Sequence, residues 1–240
     1  MNGDLGTLLG VWAHPDDETY LSGGLMATAA AEGRRVVCVT ATKGEAGFAD
    51  DDPRDGAERM AVREVEATTS LQILGVREHG WLGYPDGGCA EVPDAAPVAR
   101  LTGLIEVIRP DTVLTFGPDG MTGHGDHVAV SRWTTRAVRA AGHRCRLLYA
   151  TKTAEWNEQF SRDVNLRQIM MVDGMTLPEA DPSDLAVHYR LSGTLLDQKV
   201  EALRAQRSQT ESLRTNLGDA TFSAWVADEY FRAVRPSDWP

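Results

Sequence analysis

The stretch Leu8-Leu9-Gly10-Val11-Trp12-Ala13-His14-Pro15-Asp16-Asp17-Glu18 begins as an apolar run and ends in an imidazole and adjacent carboxylates. The run Leu8–Trp12 reads as a buried strand. Gly23-Gly24 then opens a run of small residues within a helix expected over Thr19–Glu32 and stopped by Gly33. In α/β sheets the crevice beyond the carboxyl ends of the strands receives the chemistry, which is where His14, Asp16 and Asp17 would stand. A second apolar run, Thr112–Phe116, precedes another polar cluster, His124-Gly125-Asp126-His127.

The rest of the chain supplies a scaffold that can join these clusters. Arg35–Thr42, with Val36-Val37-Cys38-Val39 at its centre, is a second β-branched run. A loop rich in Gly, Asp and Pro follows over Lys43–Arg54. Helix is expected over Ala57–Leu74, with an apolar face of Met60, Val65, Thr68, Leu71 and Leu74. An extended piece runs through Trp81, Leu82 and Tyr84 to a turn at Pro85–Gly88. Helix over Ala95–Ile108, strand over Thr112–Phe116, helix over Val128–Ala141 and strand over Arg146–Ala150 continue the alternation. Such alternation implies a Rossmann-like, doubly wound α/β fold, its sheet mostly parallel with helices on both faces.

Thr153–Ser192 reads as irregular, with one strand near Ala186–Arg190. An amphipathic helix is expected over Thr194–Arg207 and a last helix over Thr221–Val234, where Phe222, Trp225, Val226, Tyr230 and Phe231 recur at helical spacing. No repeat, low-complexity tract or linker interrupts the chain. A single domain over residues 1–240 is expected, with the motif-bearing core at about 7–150 and a helical or irregular part at 151–240.

Composition narrows the partners. Acidic residues outnumber basic ones, 35 to 24, for a net charge of −11, which disfavours a nucleic-acid groove or an anionic membrane surface. The 3 cysteines, Cys38, Cys89 and Cys145, form no CxxC pair and suggest no disulfide framework. No basic flank precedes the first apolar run as in a secretory signal, and no run approaches the ~20 apolar residues of a membrane span. A cytoplasmic protein without an integral membrane segment is expected, and a homo-oligomer is compatible with the sequence.

In a tight turn leaving a strand, residues three apart can face one side, so His14 and Asp17 can share a metal, with Pro15 fixing the backbone between them. His127 is the natural third ligand. A His2Asp set keeps net positive charge on a bound Zn2+, though Fe2+ or Co2+ could occupy it too. Asp16 is left as a carboxylate free to move protons. His124 should lie close to the metal without binding it, where it could stabilise an oxyanion, and Asp126 is within reach to orient one imidazole. The plainer alternative makes Asp16 and Asp17 an N-cap pair for the next helix, but a cap has no use for His14 or for the distant His-x-Asp-His. Such a site would hydrolyse an amide, an ester or a similar carbonyl compound.

The Ala-His-Pro-Asp-Asp-Glu turn with Gly23-Gly24, and the later His-x-Asp-His, resemble the PIG-L/LmbE superfamily of zinc-dependent N-deacetylases. Thr42-Lys43-Gly44-Glu45, Arg63-Glu64-Val65-Glu66, Leu82–Gly87 and Lys199-x-x-Ala202 with Ser208-Gln209 extend the likeness over about residues 7–210. The resemblance implies zinc on His14, Asp17 and His127, Asp16 as general base and His124 as oxyanion stabiliser or acid. It also implies that Arg63, Asp86 and Glu45 contact a small N-acylated sugar or conjugate, most simply N-acetylated. Another amide, such as a thiol conjugate or a secondary-metabolite amide, would suit the same centre. Gln206 stands where relatives often carry histidine, and Met121-Thr122 where some carry tyrosine, so both positions are expected to shape the pocket.

Two non-enzymatic readings compete. A nucleotide-binding module needs a glycine-rich turn around phosphate, which the carboxylates after the first strand would repel. A sugar-binding protein with a structural zinc would be expected to close the site with a fourth ligand rather than leave Asp16 free. His79, His143 and His188 have no partner in sequence and read as ordinary surface or half-buried residues, while Trp156 or Trp225 could line a sugar or aryl pocket.

Overall fold

A computed structural model describes residues 4–142, 145–160 and 175–239. In chain order it contains β1 (Leu8–Trp12), α1 (Asp17–Ala31), β2 (Val36–Thr40), α2 (Gly56–Ile73), β3 (Glu78–Trp81), α3 (Ala95–Ile108) and β4 (Thr112–Phe116). The short turn α4 (Gly120–Gly123), α5 (Gly125–Ala140), β5 (Arg146–Thr151), α6 (Ala154–Phe160) and β6 (Leu185–Arg190) follow. The order ends with α7 (Gly193–Ala205), α8 (Arg207–Leu217), α9 (Asp219–Trp225) and β7 (Asp228–Ala233). His143 and part of the stretch expected to be irregular, 161–174, lie outside the described residues.

The strands form one 7-stranded sheet in the order β3-β2-β1-β4-β5-β7-β6. From β3 through β5 neighbouring strands are parallel, and β7 pairs antiparallel with both β5 and β6. Every residue of β1, β2 and β4 is buried, as expected of near-continuous apolar runs covered on both faces. Helices α1, α2 and α7 pack together, while α3 packs on α5. Two helical layers follow from the strand order, which reverses direction between β1 and β4. The fold is doubly wound α/β, as the alternation of runs implied.

The last expected helix is instead the short α9 followed by β7. The spacing of Phe222, Trp225, Val226, Tyr230 and Phe231 imitates a helix, but Tyr230 and Phe231 are buried by pairing between β5 and β6. The charges beside them are met by distant partners. Asp228 accepts from His188 Nε2 at 2.7 Å and from Arg190 Nε at 3.1 Å. Glu229 accepts from Gly24 N and Leu25 N of α1, at 2.6 and 2.9 Å, and from Lys199 Nζ of α7 at 2.7 Å. Gly24 is needed there for a second reason, because a Cβ would come within 2.2 Å of Leu191. The helix expected over Thr194–Arg207 ends at Ala205, and a second helix begins at Arg207.

The buried stripe of α2 also differs from the expected face. It runs Arg63, Ala67, Ser70 and Leu71, and Val65 is 66% exposed. Only Leu71 and, just past the helix end, Leu74 belong to both stripes. The rotation carries Arg63 inward, toward the turn after β1.

Candidate active site

β1 and β4 are neighbours, and the crevice opens beyond their carboxyl ends at the point where strand order reverses. The turn after β1 brings His14, Asp16 and Asp17, and the start of α5 after β4 brings His124, Asp126 and His127. His14 Nδ1 and His127 Nε2 face each other at 3.1 Å. The Asp17 carboxylate completes a triangle, with Oδ2 3.6 Å from His14 Nδ1 and Oδ1 3.5 Å from His127 Nε2.

The opposite nitrogen of each ring is committed to protein acceptors. His14 Nε2 lies 3.0 Å from Asp86 Oδ1 and 3.2 Å from Asp126 Oδ2. His127 Nδ1 donates to Gly120 O at 3.0 Å, and its ring stacks on Phe116 with centroids 4.1 Å apart. Those bonds put protons on His14 Nε2 and His127 Nδ1, so both facing nitrogens offer lone pairs once His14 gives up its second proton to a bound cation. Gly120 makes the second bond feasible. Its φ is +69°, and a Cβ there would come within 3.0 Å of Val128 N and 3.1 Å of His127 Cβ.

This donor set fits a divalent cation. Ligand atoms of a tetrahedral site with bonds of about 2.0–2.1 Å stand about 3.3 Å apart, close to the spacings of His14, Asp17 and His127. His14, His124 and His127 also bring donor atoms within 4.8 Å of one another, as do His14, Asp86 and Asp126. The last group is less suited, because Asp126 already accepts from Gly87 N at 2.8 Å and Cys89 N at 2.9 Å. His124 caps α5, its Nδ1 accepting from Asp126 N at 3.1 Å, which leaves Nε2 to carry the proton.

The charges agree. Burial raises Asp16, an effect the Arg63 charge opposes, and burial raises Asp17 to about 8. Burial alone would lower His14, but its bonds to Asp126 and Asp86 and the Asp17 charge raise it to about 10. Burial and the neighbouring rings drive His127 well below its ordinary range and lower His124. For Asp126 burial opposes ionisation, yet the bonds from His14, Gly87 N and Cys89 N hold it below the usual carboxylate range. Carboxylates that gain protons on burial are groups from which a cation displaces them.

Asp16 has a φ of +110°, unusual for a residue other than glycine. Its carbonyl accepts from Thr19 N and Tyr20 N, both at 2.9 Å, and its own N–H donates to Glu18 Oε2 at 3.0 Å. Arg63, 2% exposed, donates to Pro15 O and places Nη2 3.8 Å from Asp16 Oδ2. An arginine on a helix would by default be solvated, and here it braces the turn.

Asp86 lies in the crevice against His14, and Glu45 stands behind it, Oε1 accepting from Asp86 N at 3.0 Å. Thr122 lines the cavity, as expected. Gln206 does not: it is fully buried behind Glu18, its Nε2 donating to Glu18 Oε1 at 2.9 Å and to Thr19 and Ser70 hydroxyls. Its expected influence on the pocket therefore has to pass through the Glu18 carboxylate. His79 and His188 stand apart from the centre, against Thr40 and Asp228.

The cavity over this centre measures about 590 Å³. His14, Asp16, Arg63, Asp86 and His124 line its polar end, and Trp156, Trp225, Leu213 and Val226 form an apolar wall. Lys152 also lines it and went unread in the sequence. Its position just past the strand β5, at the end of the sheet where sites gather, was the available signal.

Comparison with known proteins agrees with this geometry. The family described as GlcNAc-PI de-N-acetylase, PIG-L, matches residues 9–138. A 1D-myo-inositol 2-acetamido-2-deoxy-alpha-D-glucopyranoside deacetylase of Rhodococcus jostii is 38% identical, over 95% of this chain and 91% of its own. The protein of the same name from Acidothermus cellulolyticus is 30% identical over 98% of this chain and 90% of its own. The structure of N,N'-diacetylchitobiose deacetylase from Pyrococcus horikoshii superposes with a TM-score of 0.66 at 24% identity, over 96% of this chain and 84% of that one, a likeness of fold. The chain belongs to the PIG-L family and is an enzyme of the N-deacetylase type.

Proposed function

We propose that this chain removes an N-acyl group, specifically acetyl, from an amino sugar or its glycoconjugate, using zinc held by His14, Asp17 and His127 in a cytoplasmic enzyme. The observation that carries the reading is the facing pair of nitrogens, His14 Nδ1 and His127 Nε2, 3.1 Å apart, with the Asp17 carboxylate beside both. Each ring is locked from behind by a protein acceptor. Relatives named as deacetylases of an inositol-linked 2-acetamido-2-deoxyglucopyranoside support the substrate class.

Bound there, a divalent cation supplies polarisation of the amide carbonyl and lowers the pKa of water. Asp16, not a member of the ligand triangle and raised by burial, takes a proton from the attacking water and delivers it to the departing amine. Arg63 keeps that carboxylate in place. His124 directs its Nε2–H at the carbonyl oxygen as negative charge develops, in the neutral form that its surroundings favour. Asp126 orients His14, and Asp86 and Arg63 meet substrate hydroxyls at the polar end, with Glu45 bracing Asp86.

The test is release of acetate and free amine from N-acetylglucosamine glycosides, the inositol conjugate among them, by purified protein that is chelated and then resupplied with zinc. Release should vanish and return. Asp16→Asn should keep equimolar metal and lose about 10²–10⁴-fold in kcat. No release from any N-acetylated sugar by metal-loaded protein overturns the substrate class, and near-wild-type turnover of Asp16→Asn overturns its role as base.

A further inference from the structure

We propose that the part of the cavity lined by Lys152, Trp156 and Trp225 is a second recognition subsite, in which Lys152 binds an acidic group carried by the substrate's aglycone while Trp156 and Trp225 pack against its apolar body. The inference rests on the reading of the centre as an amidase only in taking the occupant to be part of the substrate.

Two buried lysines make the case by contrast. Lys199 is fully buried and satisfied, donating to Glu229 Oε1 at 2.7 Å and to Tyr20 O at 2.9 Å. Lys152 is 8% exposed and lines the cavity, yet among the described residues its ammonium meets a single oxygen, Asp228 O, at 3.3 Å. Its other near neighbours are the faces of Trp156, at 4.0 Å, and Tyr230, at 5.6 Å. No carboxylate of the described residues lies within 4.0 Å of it. An ammonium has three donors, and with Asp228 and Glu229 acting on Lys152 only from beyond 4.0 Å, an oxyanion entering the cavity would find hydrogen bonds unclaimed and a closer counter-ion's place open. Burial and the Lys199 charge lower Lys152 to about 7 against the opposing charges of Glu229 and Asp228, and an anion bound directly to the ammonium would raise it again.

The other lysine or arginine of the lining, Arg63, is turned toward the loop after β1. Arg63 braces Pro15 O and Asp16 at the polar end. Trp156 and Trp225 stand 6.3 Å apart with planes inclined by 38°, and Leu213 and Val226 complete the apolar wall. Ring faces beside a lone ammonium suit an apolar or aryl body ending in a carboxylate or phosphate.

The experiment compares deacetylation of phenyl N-acetylglucosaminide with that of its carboxyphenyl and phosphophenyl counterparts by the zinc-loaded enzyme. The wild type should favour one or both acidic substrates by at least about tenfold in kcat/KM, chiefly through KM. The two acidic arms identify the oxyanion. Lys152→Met should collapse the acidic-to-neutral ratio toward unity, and Lys152→Arg should restore most of it. A wild-type ratio near unity, or a ratio that survives Lys152→Met, overturns the subsite. Binding of carboxyphenyl and phosphophenyl glycosides, followed by tryptophan fluorescence, separates the two readings if no substrate is turned over. Affinity for an acidic glycoside that falls at least about tenfold in Lys152→Met then upholds the subsite while the amidase reading fails, and no binding, or equal binding, overturns it.

Discussion

Asp126 Oδ2 lies 3.2 Å from His14 Nε2, between residues 112 positions apart in the chain. The same carboxylate holds the amides of Gly87 and Cys89, so one buried side chain ties the turn after β1 to the loop after β3 and to α5. Asp126→Asn replaces one acceptor oxygen by a donor and removes the charge facing the imidazole. Metal affinity should fall about 10–100-fold, measured by chelator competition, and excess zinc should recover part of the activity.

His127→Ala removes one of the two facing nitrogens. Metal content measured by elemental analysis should fall from equimolar to near zero at micromolar zinc, and deacetylation should fall with it. Because His127 is also packed on Phe116, His127→Gln serves as the better-filled companion and should show the same loss.

Gly120 and Gly33 have similar positive φ, 69° and 75°, but only Gly120 is crowded, since nothing lies within 4 Å of a Cβ at Gly33. Gly33→Ala should cost about 1 kcal/mol in denaturant melts. Gly120→Ala should cost about 2–3 kcal/mol and should weaken metal binding as well, because the carbonyl that positions His127 would move.

His79 predicts an acid-sensitive component of stability away from the centre. Burial lowers its imidazole from 6.5 to about 4. Between those values the unfolded chain binds the extra proton, so stability is full above pH 6.5 and declines as the pH falls toward 4. The loss is at most on the order of 3 kcal/mol. His79→Gln, which can keep a hydrogen bond to Thr40, should flatten the dependence of the denaturation midpoint in that interval.

The parts of the fold readable in advance were those whose pattern is local. β1, β2 and β4 are short apolar runs between turn residues, and their boundaries came within two residues of those expected. The turn after β1 and the start of α5 were readable because His14, Asp17 and His127 are residue types that a plain strand end or helix cap does not need together. β7 was not, because Asp228 and Glu229 look like solvent-facing charges until Lys199 and the amides of α1 are placed beside them. Arg63 was half legible: its motif could be seen, but its burial depends on the rotation of α2, which the nearby Val65 misrepresented. Lys152 carried no motif, and its single oxygen partner among the described residues is a product of packing.

The clasp of Glu229 on α1 has a bearing on the order of events during synthesis. His14 and Asp17 leave the ribosome early, yet the acceptor for Gly24 N comes 205 residues later in the chain. Until then the amides of Gly24 and Leu25 and the ammonium of Lys199 lack their common carboxylate, and the helix that follows the His14–Asp17 turn is held by its own hydrogen bonds and whatever neighbours have already docked. Nascent chains halted before residue 229 should therefore bind zinc weakly and exchange the amide protons of this helix rapidly, and the last strand to emerge would fasten the first part of the site that was made.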